Sequence, residues 1–159
     1  MVSRGTQAPT FTAPVATGDV EEFDLAAAIE TEAPVVLAFF PAAFTGTCTH
    51  EMNEFQHRLE DFAEHGANVY GVSVDLPWAL NEFRDQLGLS FGLISDTDRR
   101  ILDAYDLATD FGSSGVYGVA KRAVVVVDGD GRVAYAWVSD DPGVEPDYDE
   151  VEAAVAAAA

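Results

Sequence analysis

The residues best suited to chemistry lie in one stretch, Pro41-Ala42-Ala43-Phe44-Thr45-Gly46-Thr47-Cys48-Thr49-His50-Glu51, which contains the only cysteine of the 159-residue chain. A buried-strand pattern, Pro34-Val35-Val36-Leu37-Ala38-Phe39-Phe40, leads into it. Behind it, Met52, Phe55, Leu59 and Phe62 recur at helical spacing. Cys48 therefore falls where a helix begins, beside free backbone N–H groups and the positive end of the helix dipole, and both favour a thiolate. One cysteine excludes an intramolecular disulfide and any two-thiol redox motif. An inert buried thiol, an intermolecular bridge and a reactive nucleophile remain open.

The elements that position this stretch are legible on both sides of it. Residues 11–23 read as a hairpin turning at Thr17-Gly18-Asp19, and Asp24 caps a short helix over 25–29. The helix after Cys48 is expected to run to His65-Gly66, with the glycine as its stop. A buried strand follows at 68–74, then a helix with Pro77 in its first turn that ends near Gly88. Residues 91–94 form a short strand, and residues 95–98 cap a helix over 99–105. Residues 106–120 read as a long Gly- and Ser-containing loop, long enough to suggest function. The run 123–127 is the clearest strand, turned by Asp128-Gly129-Asp130-Gly131 into a partner at 133–138. A final amphipathic helix covers about 146–158, and Trp78 and Trp137 read as packing residues. This order predicts a single α/β domain over 1–159, with a mixed sheet carrying an antiparallel hairpin near its C-terminal end. In such sheets chemistry gathers beyond the carboxyl ends of the parallel strands, where residues 41–48 lie.

Composition limits the partners. Twenty-eight acidic residues against 8 basic ones give a net charge of −20, a surface that repels nucleic acid and anionic membranes. No apolar run approaches the roughly 20 residues that span a bilayer. The first residues carry no apolar signal-peptide core, so a cytoplasmic location is expected by default. His50, His57 and His65 do not have the tight local pairing of structural zinc ligands, and no metal or cofactor is expected. Many acids, a single lysine (Lys121) and abundant alanine resemble the proteins of salt-accumulating halophiles. Self-repulsion of that size is screened when the Debye length falls to about 3 Å at 1 M salt.

The motif Pro41-x-x-x-Thr45-x-x-Cys48 is similar to the P-x-x-x-[T/S]-x-x-C signature of peroxiredoxins, as are Phe44-Thr45-Gly46 and Glu51 around it. Lys121-Arg122 followed by Ala123-Val124-Val125-Val126-Val127-Asp128 resembles the strand that carries that family's active-site arginine. Val72-Ser73-Val74-Asp75 and Leu93-Ile94-Ser95-Asp96 resemble further landmarks, so the likeness covers about residues 5–149.

The resemblance implies a thioredoxin-like fold, a mixed central sheet flanked by helices with an N-terminal β-hairpin, and a thiol peroxidase. In that reading Cys48 attacks hydrogen peroxide or an organic hydroperoxide and becomes sulfenic acid. Arg122 holds the thiolate and polarises the peroxide, Thr45 hydrogen-bonds it, Pro41 shields the sulfur, and Glu51 stands behind, orienting the arginine. Arginine, a hydroxyl and backbone N–H are suitable donors for charge that develops on a leaving oxygen. Family members with a resolving thiol five residues on would place it at Asn53, so the one-cysteine class is implied, recycled by an external thiol. The resemblance also favours a homodimer. A non-enzymatic thioredoxin-fold redox sensor or binding module is the alternative; it has no need of Thr45 and Arg122 as peroxide-activating donors.

Overall fold

A computed structural model describes residues 2–159. Nine strands and six helices occur in the order β1 (Thr12–Ala16), β2 (Val20–Asp24), α1 (Leu25–Glu32), β3 (Val35–Phe39), α2 (Gly46–His57), α3 (Leu59–Glu64), β4 (Asn68–Ser73), α4 (Pro77–Leu87), β5 (Leu93–Ser95), α5 (Arg100–Tyr105), β6 (Ala108–Phe111), β7 (Val116–Ala120), β8 (Arg122–Val127), β9 (Val133–Ser139) and α6 (Tyr148–Ala158). Seven strands make one mixed sheet, ordered β2-β1-β5-β4-β3-β8-β9, and β6 and β7 pair separately. The thioredoxin-like fold and the N-terminal hairpin follow the expectation.

Strand β3 is central because every residue in it is apolar and buried. Alternation sends its side chains to two cores. Val36 and Ala38, with Phe40 just beyond the strand, pack with Met52 and Phe55 of α2, Leu80 and Phe83 of α4, and Val151 and Val155 of α6. Val35, Leu37 and Phe39 face Leu25 and Ala28 of α1 and Ile101, Leu102 and Tyr105 of α5. Asp24 caps α1 by accepting from Ala26 N–H at 3.0 Å, and Asp147 caps α6 by accepting from Asp149 and Glu150 N–H at 3.1 Å each.

Register places the chemistry. Strands β3, β4 and β5 are parallel neighbours, whereas β8 runs antiparallel to β3 with Phe39 opposite Ala123. The C-terminal end of β3 therefore abuts the start of β8, and Arg122 stands at the sheet end from which residues 41–48 leave. Arg122 also pairs with Ser139 at the end of β9, so the segment after β9 starts from the same end.

Four expectations need correction. Residues 106–120 are not a loop: β6, a short 3₁₀ turn at Gly112–Ser114 and β7 form a hairpin. Its alternation is obscured by a register shift between Thr109 and Phe111 and by Gly112, Gly115 and Gly118. The helix after Cys48 is divided at Arg58 (φ −96°, ψ 4°), although Arg58 N–H to Glu54 O and Phe62 N–H to Arg58 O carry hydrogen bonds across the break. The same apolar face survives it, with the Phe55 and Phe62 rings 6.1 Å apart. Trp78 does not pack: it is 69% exposed, because the inner face of α4 is set by Leu80 and Phe83. The last helix begins at Tyr148, two residues later than expected.

Candidate active site

Cys48 is the third residue of α2, which starts at Gly46 after the extended residue Thr45. The first intrahelical donor is Thr49 N–H, bonded to Thr45 O at 2.9 Å. Helix geometry therefore leaves Gly46, Thr47 and Cys48 N–H without intrahelical acceptors, and they gather positive potential around the sulfur. Cys48 is 1% exposed and lies at the floor of a cleft of about 570 Å³.

Arg122, 74 residues away in sequence, closes over the same sulfur. The residue is 2% exposed, and each guanidinium nitrogen has a different neighbour. Nη2 donates to Cys48 Sγ at 3.2 Å, Nε donates to Pro142 O at 3.0 Å, and Nη1 lies 3.4 Å from Glu51 Oε1. The last distance is an ion-pair separation without good hydrogen-bond geometry, and among the described residues neither Glu51 oxygen has a hydrogen-bond partner. Glu51 is fully buried one helical turn beyond Cys48. Burial pushes its carboxyl up to about 8, against the opposing pull of Arg122; Glu145 adds to the rise. The upward shift favours the neutral acid, and to that extent the arginine charge is left to the sulfur.

The approach loop is fixed from the sheet. Asp75, just past the end of β4, accepts at Oδ2 from Ala43 N–H and from Ser73 Oγ, both at 2.8 Å. Phe44 is held at φ +69°, an uncommon conformation for a bulky residue, with its ring 5.2 Å from that of Phe83. Thr45 Oγ1 donates to Ala42 O at 2.8 Å, so its lone pairs remain for a donor entering the cleft. Pro41 is buried and, with Thr45, lines the cleft.

All five residues singled out from the sequence come to this end of the sheet: Cys48, Arg122, Thr45 and Pro41 border the cleft, and Glu51 backs the arginine. Three contributions were missed. In the sequence Asp75 stands out only as a family landmark; its place directly after a parallel strand is the signal for a site role. Pro142 acts through a backbone carbonyl in a non-repetitive segment, which leaves no side-chain signal. Phe111 and Val116, which also line the cleft, lie in the β6–β7 hairpin, where the sequence predicts a loop.

A thioredoxin-like sheet with one cysteine in the first turn of a helix and a buried arginine on its sulfur defines a thiol-dependent peroxidase of the peroxiredoxin class. Comparison with known proteins agrees: residues 4–136 match the AhpC/TSA family, and the chain belongs to that family. Mycobacterium tuberculosis Rv2521, which carries a provisional peroxiredoxin name, is 38% identical over 136 residues, covering 83% of this chain and 82% of that protein. Peroxiredoxin Bcp of Bacillus subtilis is 32% identical over 106 residues, covering 65% and 66%. The crystal structure of peroxidoxin BcpB from M. tuberculosis superimposes with a TM-score of 0.83 at 25% identity, covering 99% of this chain and 98% of that one.

Proposed function

We propose that this chain works as a single-domain, one-cysteine peroxidase acting on hydrogen peroxide and organic hydroperoxides. The observation that carries the reading is the 3.2 Å contact from Arg122 Nη2 to a Cys48 sulfur at the helix N-terminus and the cleft floor. The Cys48 thiolate attacks one peroxide oxygen; an S–O bond forms, the O–O bond breaks, and sulfur is oxidised by two electrons to sulfenic acid. The leaving oxygen departs as hydroxide or alkoxide and takes a proton to become water or an alcohol. Arg122 and the free helical N–H groups stabilise that developing charge before the proton arrives.

An external thiol, on a thioredoxin-like protein or a small molecule, then displaces water from the sulfenic acid, and a second thiol releases Cys48 from the mixed disulfide. A compartment that keeps thiols reduced suits this cycle, and we assign the protein to the cytoplasm. We further propose a homodimer: Phe44, Leu76 and Trp78, all on or against α4, leave apolar area for a second copy.

Stopped-flow oxidation of the reduced protein tests the reading, with dimedone trapping to identify sulfenic acid. Cys48 is expected to react roughly 10³-fold or more faster than a simple thiol at the same pH, the scale that preorganised donors supply. A rate matching the simple thiol overturns the proposal. Thr45→Val keeps the shape but removes the hydroxyl, and is expected to slow oxidation about tenfold with an unchanged circular dichroism spectrum. An unchanged rate removes Thr45 from the mechanism.

The charge of −20 leads to a separate expectation of salt-dependent stability in a halophilic setting. The melting temperature is expected to rise by roughly 10 °C between low and molar salt as carboxylate repulsion is screened. Calorimetry across that range checks it; a flat profile rejects the halophilic assignment.

A further inference from the structure

Residues 140–147 leave β9, pass along the cleft and enter α6. Their backbone supplies part of the active site: Pro142 O accepts from Arg122 Nε at 3.0 Å, and Pro142 and Gly143 border the cleft. Near its start this strap is held by its own turn, with Gly143 N–H donating to Asp141 Oδ1 at 2.9 Å and Asp141 N–H to Ser139 Oγ at 3.1 Å. At its far end the fastening is to other elements. Glu145 Oε1 accepts from Tyr148 Oη on α6 at 2.6 Å and lies 2.6 Å from His50 Nδ1 on α2. His50 is two residues from Cys48. One carboxylate therefore ties the strap that holds the arginine to the helix that carries the cysteine.

We propose that Glu145, tied to His50 and Tyr148, is a positioning residue for Arg122, setting through the strap the Pro142 carbonyl that aims the guanidinium at Cys48, and that protonation of His50 tightens the tie. The placement of Arg122 stands on geometry alone; only its kinetic consequence rests on the peroxidase reading above.

Most groups facing this tie strengthen it, and Glu51, once ionised, opposes it by repelling Glu145. His50 meets Glu145 from the strap and Glu54 one turn along α2; the hydrogen bond to Glu145 is the largest reason its pKa is raised, and slight burial opposes it. Glu145 interacts with His50, Tyr148 and Arg122, and with Glu51 behind the arginine. Burial pushes its carboxyl up, but the hydrogen bonds from Tyr148 and His50 and the charges of His50 and Arg122 together bring it below the ordinary value. Tyr148 is raised, by burial first and then by Glu145, so its hydroxyl keeps its proton across the range of interest. A raised histidine contributes fully below its ordinary value of 6.5 and loses that contribution as pH climbs through the raised one. The strap is therefore held most firmly on the acidic side of neutrality.

The test follows the Arg122 Nε–H directly, by nitrogen-resolved NMR exchange on reduced full-length protein at about pH 6 and about pH 8.5, corrected for free-arginine exchange. Wild type, His50→Gln and Glu145→Gln are compared; Glu51 titrates in the same range, so the pH response of the tie is read from wild type against His50→Gln, both of which keep Glu145 beside Glu51. Protection in wild type is expected to fall about threefold more across this range than in His50→Gln, and Glu145→Gln is expected to be weakly protected at both pH values. Peroxide oxidation of Cys48 should slow in the same order as protection falls.

Identical protection and pH response in His50→Gln and wild type overturn the tie, as does full protection in Glu145→Gln. Altered protection with unaltered oxidation rates overturns the positioning role. A wild-type protein inert to peroxide refutes the peroxidase reading, while the exchange data still decide the tie. Both replaced side chains are partly or largely exposed, and melting temperatures verify that the variants fold.

Discussion

Arg122→Ala is expected to slow oxidation of Cys48 by hydrogen peroxide by about 10²–10³-fold, the loss typical when a preorganised donor to developing negative charge is removed. The guanidinium touches the sulfur at 3.2 Å and both residues are almost fully buried, so the donor acts at low local dielectric, where it is worth more than a water in its place. The substitution also strips Glu51 of its only ion-pair partner among the described residues. Breaking a buried pair normally costs about 3–5 kcal/mol, but Glu51 avoids much of that by staying protonated. The expected phenotype is a folded, slow protein rather than an unfolded one.

Arg122→Lys sharpens the prediction. Lysine keeps one charge but cannot hold Pro142 O, Cys48 Sγ and Glu51 through three differently directed nitrogens. Its rate is expected to lie nearer to that of alanine than to that of arginine. Stopped-flow traces for the three proteins at one pH, alongside thermal melts, separate chemistry from stability. Full activity in either variant would remove Arg122 from the mechanism.

Why Cys48 was legible from the sequence and its surroundings only partly so has a physical basis. A five-residue buried strand and an amphipathic helix are periodic, and periodicity is visible one residue at a time. That was enough to set Cys48 in the first turn of α2. The approach of Arg122 to a sulfur 74 residues earlier in the chain depends on β8 pairing antiparallel with β3, which no local pattern encodes. Likeness to a family supplied it instead. The β6–β7 hairpin was hidden by a register shift and three glycines, although Phe111 and Val116 make one wall of the cleft. Pro142 was invisible because a carbonyl carries no residue-type signature. Nor did the sequence disclose the state of Glu51: an acid in the first turns of a helix ordinarily looks like a favourable partner for the dipole. Its burial, which only the packed structure reveals, reverses that reading.

Glu51→Gln is expected to change both the stability curve and the alkaline rate profile. The folded-state pKa of about 8 lies above the ordinary 4.5, so the folded protein binds more protons than the unfolded chain between those values. Stability contributed by this group is therefore complete below about pH 4.5 and lost as pH rises through about 8. Glutamine removes that loss, and at about pH 9 the variant is expected to be more stable than wild type by on the order of 4 kcal/mol. Denaturant melts at several pH values read the difference directly; the other carboxylates titrate in both proteins and cancel. Kinetics report the same ionisation from the active-site side. As Glu51 becomes a carboxylate it draws on the Arg122 charge that otherwise serves the sulfur. The ratio of variant to wild-type oxidation rate is thus expected to climb about tenfold between neutral pH and pH 9. Glu51→Asp, which keeps an ionisable group, should retain a pH-dependent ratio to Glu51→Gln. A ratio that stays flat, together with parallel stability curves, would show that Glu51 is already ionised at neutral pH and shares the arginine with Cys48 throughout.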